Sequence, residues 1–193
     1  MEVLTNNHFE KILDLFDGVK HSIKIISPFI SESMAKKLCD VVKNGNIDCT
    51  FITRFYLEDM FAKANSIDAI QMMMDAGIDV YALKGLHSKL YLFDDTYGVL
   101  GSANFTAGGF KSNIELSLLL NNDDGILKEL HSYFDDLLNK IKQSKEGQSN
   151  QGFFHEGEEM PEIKQQLLDA IPELVKGYGW DPTDPDPANP WRQ

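Results

Sequence analysis

Apolar residues along the chain recur with two periods, one typical of helices and the other of strands. Ile12, Phe16 and Val19 stand at helical spacing, and Asn7 is placed to cap this first helix. The segment SIKIISPF then predicts a strand. This strand is expected to end near Pro28, because proline donates no hydrogen bond to a sheet.

The alternation of helix and strand continues along the chain. A second helix, capped by Ser31 or Ser33, is followed by the strand IDCTFITR, a helix over about residues 66–76 and the strand IDVYAL. Further on, ILKELHSYFDDLLNKIKQ predicts a long amphipathic helix. Strands that alternate with helices favour parallel pairing. The sequence therefore predicts an α/β sandwich with a mixed, mostly parallel sheet flanked by helices.

The stretch HSKLYLFDDTYGVLGSANFTAGGFKSNIE concentrates reactive side chains among strand-like apolar residues. Residues two apart on a strand face the same way, so His87 and Lys89 are expected to project together. A two-residue turn at positions 95–96 predicts a hairpin that extends the sheet with antiparallel neighbours. In its register Lys89 lies opposite Ser102, and His87 lies opposite Asn104.

A third strand, NIELSLLLN, is expected to follow this hairpin. It would carry Asn113, Glu115 and Ser117 on one face. Ile114 and Leu116 would lie on the opposite, apolar face. A carboxylate in so apolar a strand needs a partner, which makes Glu115 a candidate site residue.

The pattern H-x-K-x4-D followed by G-S-x-N resembles the HKD signature of the phospholipase D superfamily. With the later Glu115 and the strings GSANFT and SNIE, the chain is similar to the single-motif nuclease branch, which includes small endonucleases and restriction-enzyme catalytic domains. The resemblance covers roughly residues 8–143. The signature falls on His87, Lys89, Asp94, Gly101, Ser102 and Asn104.

The resemblance implies a phosphodiesterase in which His87 attacks phosphorus and forms a phosphohistidine. Lys89 and Asn104 are suited to neutralise the phosphoryl oxygens without a metal. Glu115 is expected to bond the other ring nitrogen of His87 and so fix its tautomer. Supporting roles are expected for the remaining motif residues, with Asp94 facing away from His87 near the turn: Asp94, Gly101 and Ser102.

The resemblance also implies a homodimer. Superfamily members with two motifs pair them within one chain, whereas this sequence holds one motif. Two chains would therefore share one active site on a two-fold axis, with His87, Lys89 and Asn104 from each. DNA is the favoured substrate, and restriction or defence is the natural setting. A phospholipase D-type lipid phosphodiesterase and an inactive binding scaffold are the alternatives.

Net charge changes this picture, because a value of −12 argues against a broad basic footprint for nucleic acid. Nucleic-acid binding would have to rest on a local patch or on another chain, and Arg54 and Lys111 are candidate substrate contacts within such a patch. The residues of the patch would be Arg54, Lys63, Lys84, Lys89 and Lys111.

The composition, 42% hydrophobic and 25% charged, is that of a soluble globular protein. No apolar run approaches the roughly 20 residues of a membrane helix, and the start of the chain lacks the apolar core of a signal peptide. We expect a cytoplasmic protein without a membrane-binding segment, which favours a nucleic acid over a lipid substrate. Cys39 and Cys49 are expected to be buried thiols, and the scattered histidines predict neither a metal nor a cofactor.

Residues 144–193 differ in composition from the predicted catalytic domain, residues 1–143. They contain 4 basic and 10 acidic residues, and four prolines lie in the last thirteen positions. We expect an acidic, proline-rich extension or linker, with a short helix beginning near Pro161. It is either an arm that lays Trp180 and Trp191 on a partner or on the domain itself, or a linker to a further domain.

Overall fold

The computed structural model describes residues 1–143 except 57–58, 60–63, 84 and 123. The extension predicted over residues 144–193, with its short helix, lies outside the described residues. The described strands are β1 (Glu2–Leu4), β2 (Ser22–Ile26), β3 (Asp48–Thr53), β4 (Asp79–Ala82), β5 (Leu90–Phe93), β6 (Tyr97–Gly101) and β7 (Ser117–Asn121). The described helices are α1 (His8–Gly18), α2 (Glu32–Gly45), α3 (Ile67–Asp75), α4 (Ala107–Lys111) and α5 (Ile126–Gln143).

The described strands form one sheet in the order β1-β7-β6-β5-β2-β3-β4. The predicted α/β fold with a mixed sheet between helices is confirmed. Its parallel part is smaller than expected, because only β2, β3 and β4 pair in parallel and the other neighbours are antiparallel. The reason is the run of short connections after β4, since parallel neighbours need long crossovers.

Helices cover both faces of the sheet, because alternate strand residues point to opposite sides. One face packs an aromatic cluster made of Phe16, Phe51, Tyr91, Phe93, Phe105 and Phe110. Ile26, Ile52 and Leu92 belong to a second cluster with Leu127 and Phe134 of α5. The core therefore has two layers, and Cys39 and Cys49 are buried in it as free thiols, as expected.

The hairpin of β5 and β6 differs by one residue from the predicted register. Phe93, and not Asp94, pairs with Tyr97, so the turn contains three residues. The Gly101 amide donates to the Lys89 carbonyl at 3.4 Å, which places Lys89 level with Gly101 instead of Ser102. The predicted pairing of side chains across this hairpin is therefore wrong.

The cause of this shift is the backbone of Asp94, which adopts a φ of 50° and leaves the strand. A positive φ is uncommon for a residue with a side chain, although aspartate tolerates it better than most. Here it directs the Asp94 carboxylate onto the backbone of residues 20–22. The longer turn is therefore the result of a tertiary contact.

The strand predicted for residues 113–121 begins only at Ser117. Its pairing with β6 starts at Gly101↔Ser117, where β6 ends, so the preceding residues have no partner strand. Ile114 and Leu116 are 102% and 60% exposed, and the expectation that they face the apolar side is wrong. Glu115 consequently lies in a connecting segment.

Candidate active site

The motif residues other than Asp94, together with Glu115, converge at one end of the strands of the sheet, which we call the catalytic edge. Parallel strands β2, β3 and β4 end at this edge, and antiparallel β5 begins there, since Ile26 pairs with Leu90. The segment 87–89 precedes β5, the segment 101–104 closes β6, and Glu115 precedes β7. Antiparallel pairing of β5, β6 and β7 brings these three segments together.

His87 and Lys89 form the centre of this site. The Lys89 Nζ lies 3.3 Å from Nδ1 and 3.4 Å from Nε2 of His87, and it donates to the His87 carbonyl at 2.8 Å. The predicted adjacency of these two side chains is confirmed, although both precede β5 in irregular backbone. His87 is exposed whereas Lys89 is 7% exposed, so a solvent-accessible imidazole lies against a buried ammonium group.

The surroundings of Lys89 shift its pKa in opposite directions. Burial lowers the pKa of Lys89, the Glu115 carboxylate raises it, and the Arg54 guanidinium lowers it. The net pKa is below the ordinary value of a lysine because desolvation disfavours the ammonium form. Binding of an anion beside Lys89 would compensate for this desolvation.

Glu115 is held by two side chains on its own side of the site. Its Oε2 accepts a hydrogen bond from Ser102 Oγ, and its Oε1 accepts one from Asn113 Nδ2 at 3.1 Å. The expected bond from Glu115 to His87 is not formed within the chain, because the irregular segment before β7 directs the carboxylate toward Ser102. Glu115 nevertheless acts electrostatically on Lys89.

Gly101 and Ser102 bring the connecting segment of Glu115 close to β6. A Cβ at Gly101 would lie 2.5 Å from the Ser117 Cα and closer still to Ser117 Oγ, so only glycine fits here. The Ser102 amide donates to the Leu116 carbonyl at 3.0 Å, and the Leu116 amide donates to Ser102 Oγ at 3.1 Å. The two motif residues therefore fix the position of the chain on either side of Glu115.

Asn104 is positioned by the loop that enters α4. The Tyr91 hydroxyl donates to the Ala103 carbonyl at 2.6 Å, and the Thr106 amide donates to the Asn104 carbonyl at 2.7 Å. The Oδ1 atom of Asn104 is buried and has no hydrogen-bond partner within the described chain. Buried amide oxygens are normally bonded, so a group that donates a hydrogen bond would satisfy this atom, whereas an anion would bind the Nδ2 group of the same side chain.

Asp94 lies at the far end of β5, remote along the strand from His87. Its Oδ1 accepts from the amides of His21 and Ser22 at 2.8 Å each, and its Oδ2 accepts from the Lys20 amide at 2.9 Å. Burial acts to raise the pKa of Asp94, but these hydrogen bonds together lower it below its ordinary value. The structure thus places Asp94 outside the cluster around His87.

Arg54 is bound to acidic and aromatic neighbours. Its Nε and Nη2 donate to Asp59 at 2.6 and 2.7 Å. Its guanidinium carbon lies 4.6 Å from the Phe29 ring centroid and 5.1 Å from that of Tyr56. Its charge reaches Lys89, so Arg54 borders the site.

Lys111 is exposed at the end of α4, with its Nζ 3.8 Å from the centroid of the Phe9 ring. Two further lysines of the predicted patch, Lys63 and Lys84, lie outside the described residues.

Sequence reasoning missed two contacts that reach the site from distant segments. The Nε2 atom of His8 lies 3.0 Å from Ser117 Oγ, and both residues are buried behind Gly101. The hydroxyl of Tyr133 on α5 lies 3.1 Å from Ser88 Oγ, between the two central motif residues. No local signal predicts either contact, because each joins residues far apart in sequence.

The described residues contain no group of three or more His, Cys, Asp or Glu side chains placed to hold a metal ion. Among the same residues, no helix is both long and apolar enough to cross a membrane.

Comparison with known proteins agrees with the fold and the motif. The profile of the family described as "Cardiolipin synthase, PLD-like domain" matches residues 12–138. Cardiolipin synthase 2 of Staphylococcus epidermidis is 26% identical over 135 residues, which are 68% of this chain and 27% of that protein. Cardiolipin synthase A of Buchnera aphidicola is 24% identical over 125 residues, 63% of this chain and 26% of that protein. The chain thus spans about a quarter of the length of these curated relatives.

Solved structures show the same architecture. Nuc from Salmonella typhimurium, a phospholipase D family member, superposes with a TM-score of 0.56 at 20% identity and covers 78% of this chain and 95% of that chain. NucT from Helicobacter pylori has a TM-score of 0.56 at 21% identity and covers 72% of this chain and 94% of that chain. From the match over residues 12–138, we conclude that the chain belongs to the phospholipase D-like domain family.

Proposed function

We propose that the chain is a metal-independent phosphodiesterase, and specifically a DNA endonuclease of restriction or defence type. The observation that carries the proposal is the exposed His87 imidazole held 3.3 Å from the buried Lys89 amine. Asn104, at the same end of the sheet, adds an amide whose Nδ2 group can donate a hydrogen bond to a phosphoryl oxygen. The resemblance of the strings GSANFT and SNIE to single-motif nucleases supports DNA as the substrate.

In the proposed reaction, a ring nitrogen of His87 attacks phosphorus and forms a nitrogen–phosphorus bond while the bond to the leaving oxygen breaks. The leaving oxygen takes a proton from a second, protonated imidazole. Water then attacks the phosphohistidine and gives its proton to that second imidazole, which restores the free His87. Lys89 and the Asn104 amide stabilise the charge on the phosphoryl oxygens in both steps.

The second imidazole would come from His87 of a second copy, in a homodimer with the active site on its two-fold axis. Exposed apolar side chains next to the site support this arrangement. Ile114 and Leu116 flank Glu115, and both project from the segment that borders Ser102. Val3 is 59% exposed on the adjoining edge strand, which pairs with β7. Contiguous exposed apolar residues are typical of an interaction surface.

Mixing wild-type and His87→Ala chains tests this shared site. If the chains exchange at random and both imidazoles are needed, activity falls as the square of the wild-type fraction. A linear fall would mean that each chain holds a complete site of its own. Ile114→Asp combined with Leu116→Asp should dissociate the dimer in sedimentation and abolish activity, whereas Ile126→Asp, at an exposed position on α5, should do neither.

The mechanism also predicts that cleavage of DNA persists in EDTA, because side chains supply all the charge neutralisation. Loss of cleavage with chelator, and its return with magnesium, would contradict the proposed mechanism. His87→Ala serves as the control for contaminating nuclease, since it should abolish the signal with or without chelator.

A lipid phosphodiesterase is the second candidate function, and two observations favour it. The matching family profile and the curated relatives are named for cardiolipin synthase. The exposed Ile114 and Leu116 also provide apolar surface that sequence analysis did not predict. A panel of single-stranded DNA, duplex DNA, RNA and phospholipid vesicles separates the two, each substrate being tested with wild type and His87→Ala. Turnover of vesicles alone would replace the nuclease with the lipid enzyme, and no turnover of any substrate would favour a binding scaffold.

A further inference from the structure

Two lysines from different helices converge on one aromatic ring beside the site. The Nζ of Lys111 on α4 lies 3.8 Å from the ring centroid of Phe9, and the Nζ of Lys37 on α2 lies 5.5 Å from it. Neither lysine pairs with a carboxylate within the described part of the chain. We name these three residues the Phe9 cluster. It is a localised positive charge on a chain whose net charge is −12.

The Phe9 cluster is connected to the motif residues on two sides. Helix α4 packs against Asn104, since a Cβ at Gly109 would lie 2.8 Å from the backbone nitrogen of Asn104. His8, next to Phe9, has its Nε2 3.0 Å from Ser117 Oγ, and Ser117 is the strand partner of Gly101. The fold therefore holds the cluster at a fixed place next to the proposed catalytic edge.

Bringing two ammonium groups to one ring costs electrostatic repulsion, which a carboxylate would normally relieve. Attraction to the π-face of Phe9 offsets part of this cost and restricts two otherwise flexible side chains. An anion bound to each lysine would offset the rest. Preorganised cations of this kind bind phosphate groups with less loss of side-chain entropy.

We propose that the Phe9 cluster is a subsite for the nucleic-acid strand that flanks the cleaved phosphodiester, with Lys37 and Lys111 each binding a backbone phosphate. This inference rests on the proposed nuclease function and deepens it. A polymer with repeated phosphates can occupy the catalytic edge and the cluster together, whereas a single small diester occupies only the former. A membrane is the less favoured ligand, because Phe9 is half-buried and the exposed Ile114 and Leu116 belong to a different segment.

The test uses the full chain, a single-stranded 12-nucleotide DNA, a dinucleotide and the chromogenic diester bis(4-nitrophenyl) phosphate. Lys37→Gln combined with Lys111→Gln should raise the KM for the 12-nucleotide strand by roughly tenfold. It should also reduce the slope of log affinity against log salt by about 1.4, which is the value for two phosphate contacts on a single strand. The effect should shrink with substrate length and be smallest on the chromogenic diester.

The matched control combines Lys43→Gln with Lys128→Gln, which removes the same charge from two exposed lysines outside the cluster. This control should change neither KM nor the salt slope. Phe9→Leu should raise the KM for the 12-nucleotide strand with both lysines present, because the ring no longer holds them.

Three outcomes would overturn the subsite. Equal KM values and salt slopes for the cluster variant and its control, with wild type cleaving the strand, would remove the subsite and leave the nuclease standing. Wild type that hydrolyses the chromogenic diester but no oligonucleotide would overturn both proposals. Loss of binding to anionic phospholipid vesicles without any change on DNA would assign the cluster to a membrane surface.

Discussion

The two ends of strand β5 each carry a charged residue of the motif, but the surroundings of the two charges differ. At the start of the strand, Lys89 is buried beside His87, and no carboxylate forms an ion pair with it in the described chain. At its end, Asp94 accepts hydrogen bonds from three successive backbone amides. Both groups have lowered pKa values, but burial causes the shift of Lys89 and hydrogen bonding that of Asp94.

Because of this difference, we expect the two charged residues of the signature to have different roles. The lowered pKa of Lys89 means that its surroundings destabilise the ammonium form, so the binding of an anion would stabilise that form. Lowering the pKa of an aspartate stabilises its charged form, so the contribution of Asp94 is already present in the unbound protein. We infer that mutations at the start of β5 impair turnover and that mutations at its end impair stability.

The largest expected effect is that of His87→Ala on turnover. We expect kcat to fall by about a thousandfold or more, because the nucleophile itself is lost. The free energy of unfolding should stay within about 0.5 kcal/mol, since the side chain is exposed. Single-turnover kinetics and urea unfolding measure the two quantities.

His21→Ala is the control for this variant, because His21 is an exposed histidine at the Asp94 end of the sheet. It should keep wild-type turnover. Comparable losses of turnover in His87→Ala and His21→Ala would contradict a specific role in turnover for the residues at the start of β5.

Asp94→Asn should give the next largest effect, a loss of about 2–3 kcal/mol in the free energy of unfolding at neutral pH. The amide nitrogen of asparagine would face backbone donors in place of a charged acceptor. Because the folded-state pKa of Asp94 is lowered, its contribution is complete above the unfolded-state pKa. It is lost as pH falls toward and through the folded-state value, so the difference between wild type and variant should narrow in acid.

The matched control for this measurement is Asp95→Asn. Asp95 is the next residue in the same turn, its side chain is 101% exposed, and its Oδ1 lies 3.9 Å from Nε2 of His131. Its substitution should change the unfolding free energy by less than about 0.5 kcal/mol. Equal effects at the two positions would contradict a specific role for the hydrogen bonds of Asp94.

The pattern of the sequence predicted the fold better than the site. Helix α5 has the predicted bounds, residues 126–143, because its apolar stripe extends over five turns. The adjacency of His87 and Lys89 followed from a spacing of two residues. Both are local features, in which the sequence itself contains the determining periodicity.

Errors arose where a tertiary contact decides the local structure. The register of the hairpin shifted by one because Asp94 bonds the backbone of residues 20–22, more than seventy positions earlier. The Glu115 carboxylate accepts a hydrogen bond from Ser102, and not from His87 as predicted, because β7 begins only where β6 ends. The contact of His8 with Ser117 joins residues 109 positions apart, and no periodicity marks such a pair.

Glu115→Gln should have a smaller effect, a loss of about three- to tenfold in kcat/KM at neutral pH. The carboxylate raises the pKa of Lys89, so its replacement by an amide lowers that pKa further. If Lys89 acts as a cation, activity is lost at high pH as it deprotonates. The alkaline limb of the pH profile should therefore move to lower pH in the variant.

Glu129→Gln, a change of an exposed acid on α5, is the control for the general loss of negative charge. Its pH profile should match that of wild type. An alkaline limb that stays in place in Glu115→Gln would show that the carboxylate acts through Ser102 alone.

The smallest expected effect concerns Tyr133, whose hydroxyl lies 3.1 Å from the Oγ of Ser88. Ser88 stands between the two central motif residues, so this hydrogen bond from α5 restrains the segment that carries them. The pair is exposed, and such a bond contributes about 0.5–1 kcal/mol. Tyr133→Phe should therefore lower kcat by roughly two- to fivefold and the free energy of unfolding by no more than about 1 kcal/mol. Ser88→Ala should give the same loss, and the double variant should lose no more than either single variant, since both remove one interaction. Losses that multiply in the double variant would mean that the two side chains act independently and that α5 does not restrain the start of β5.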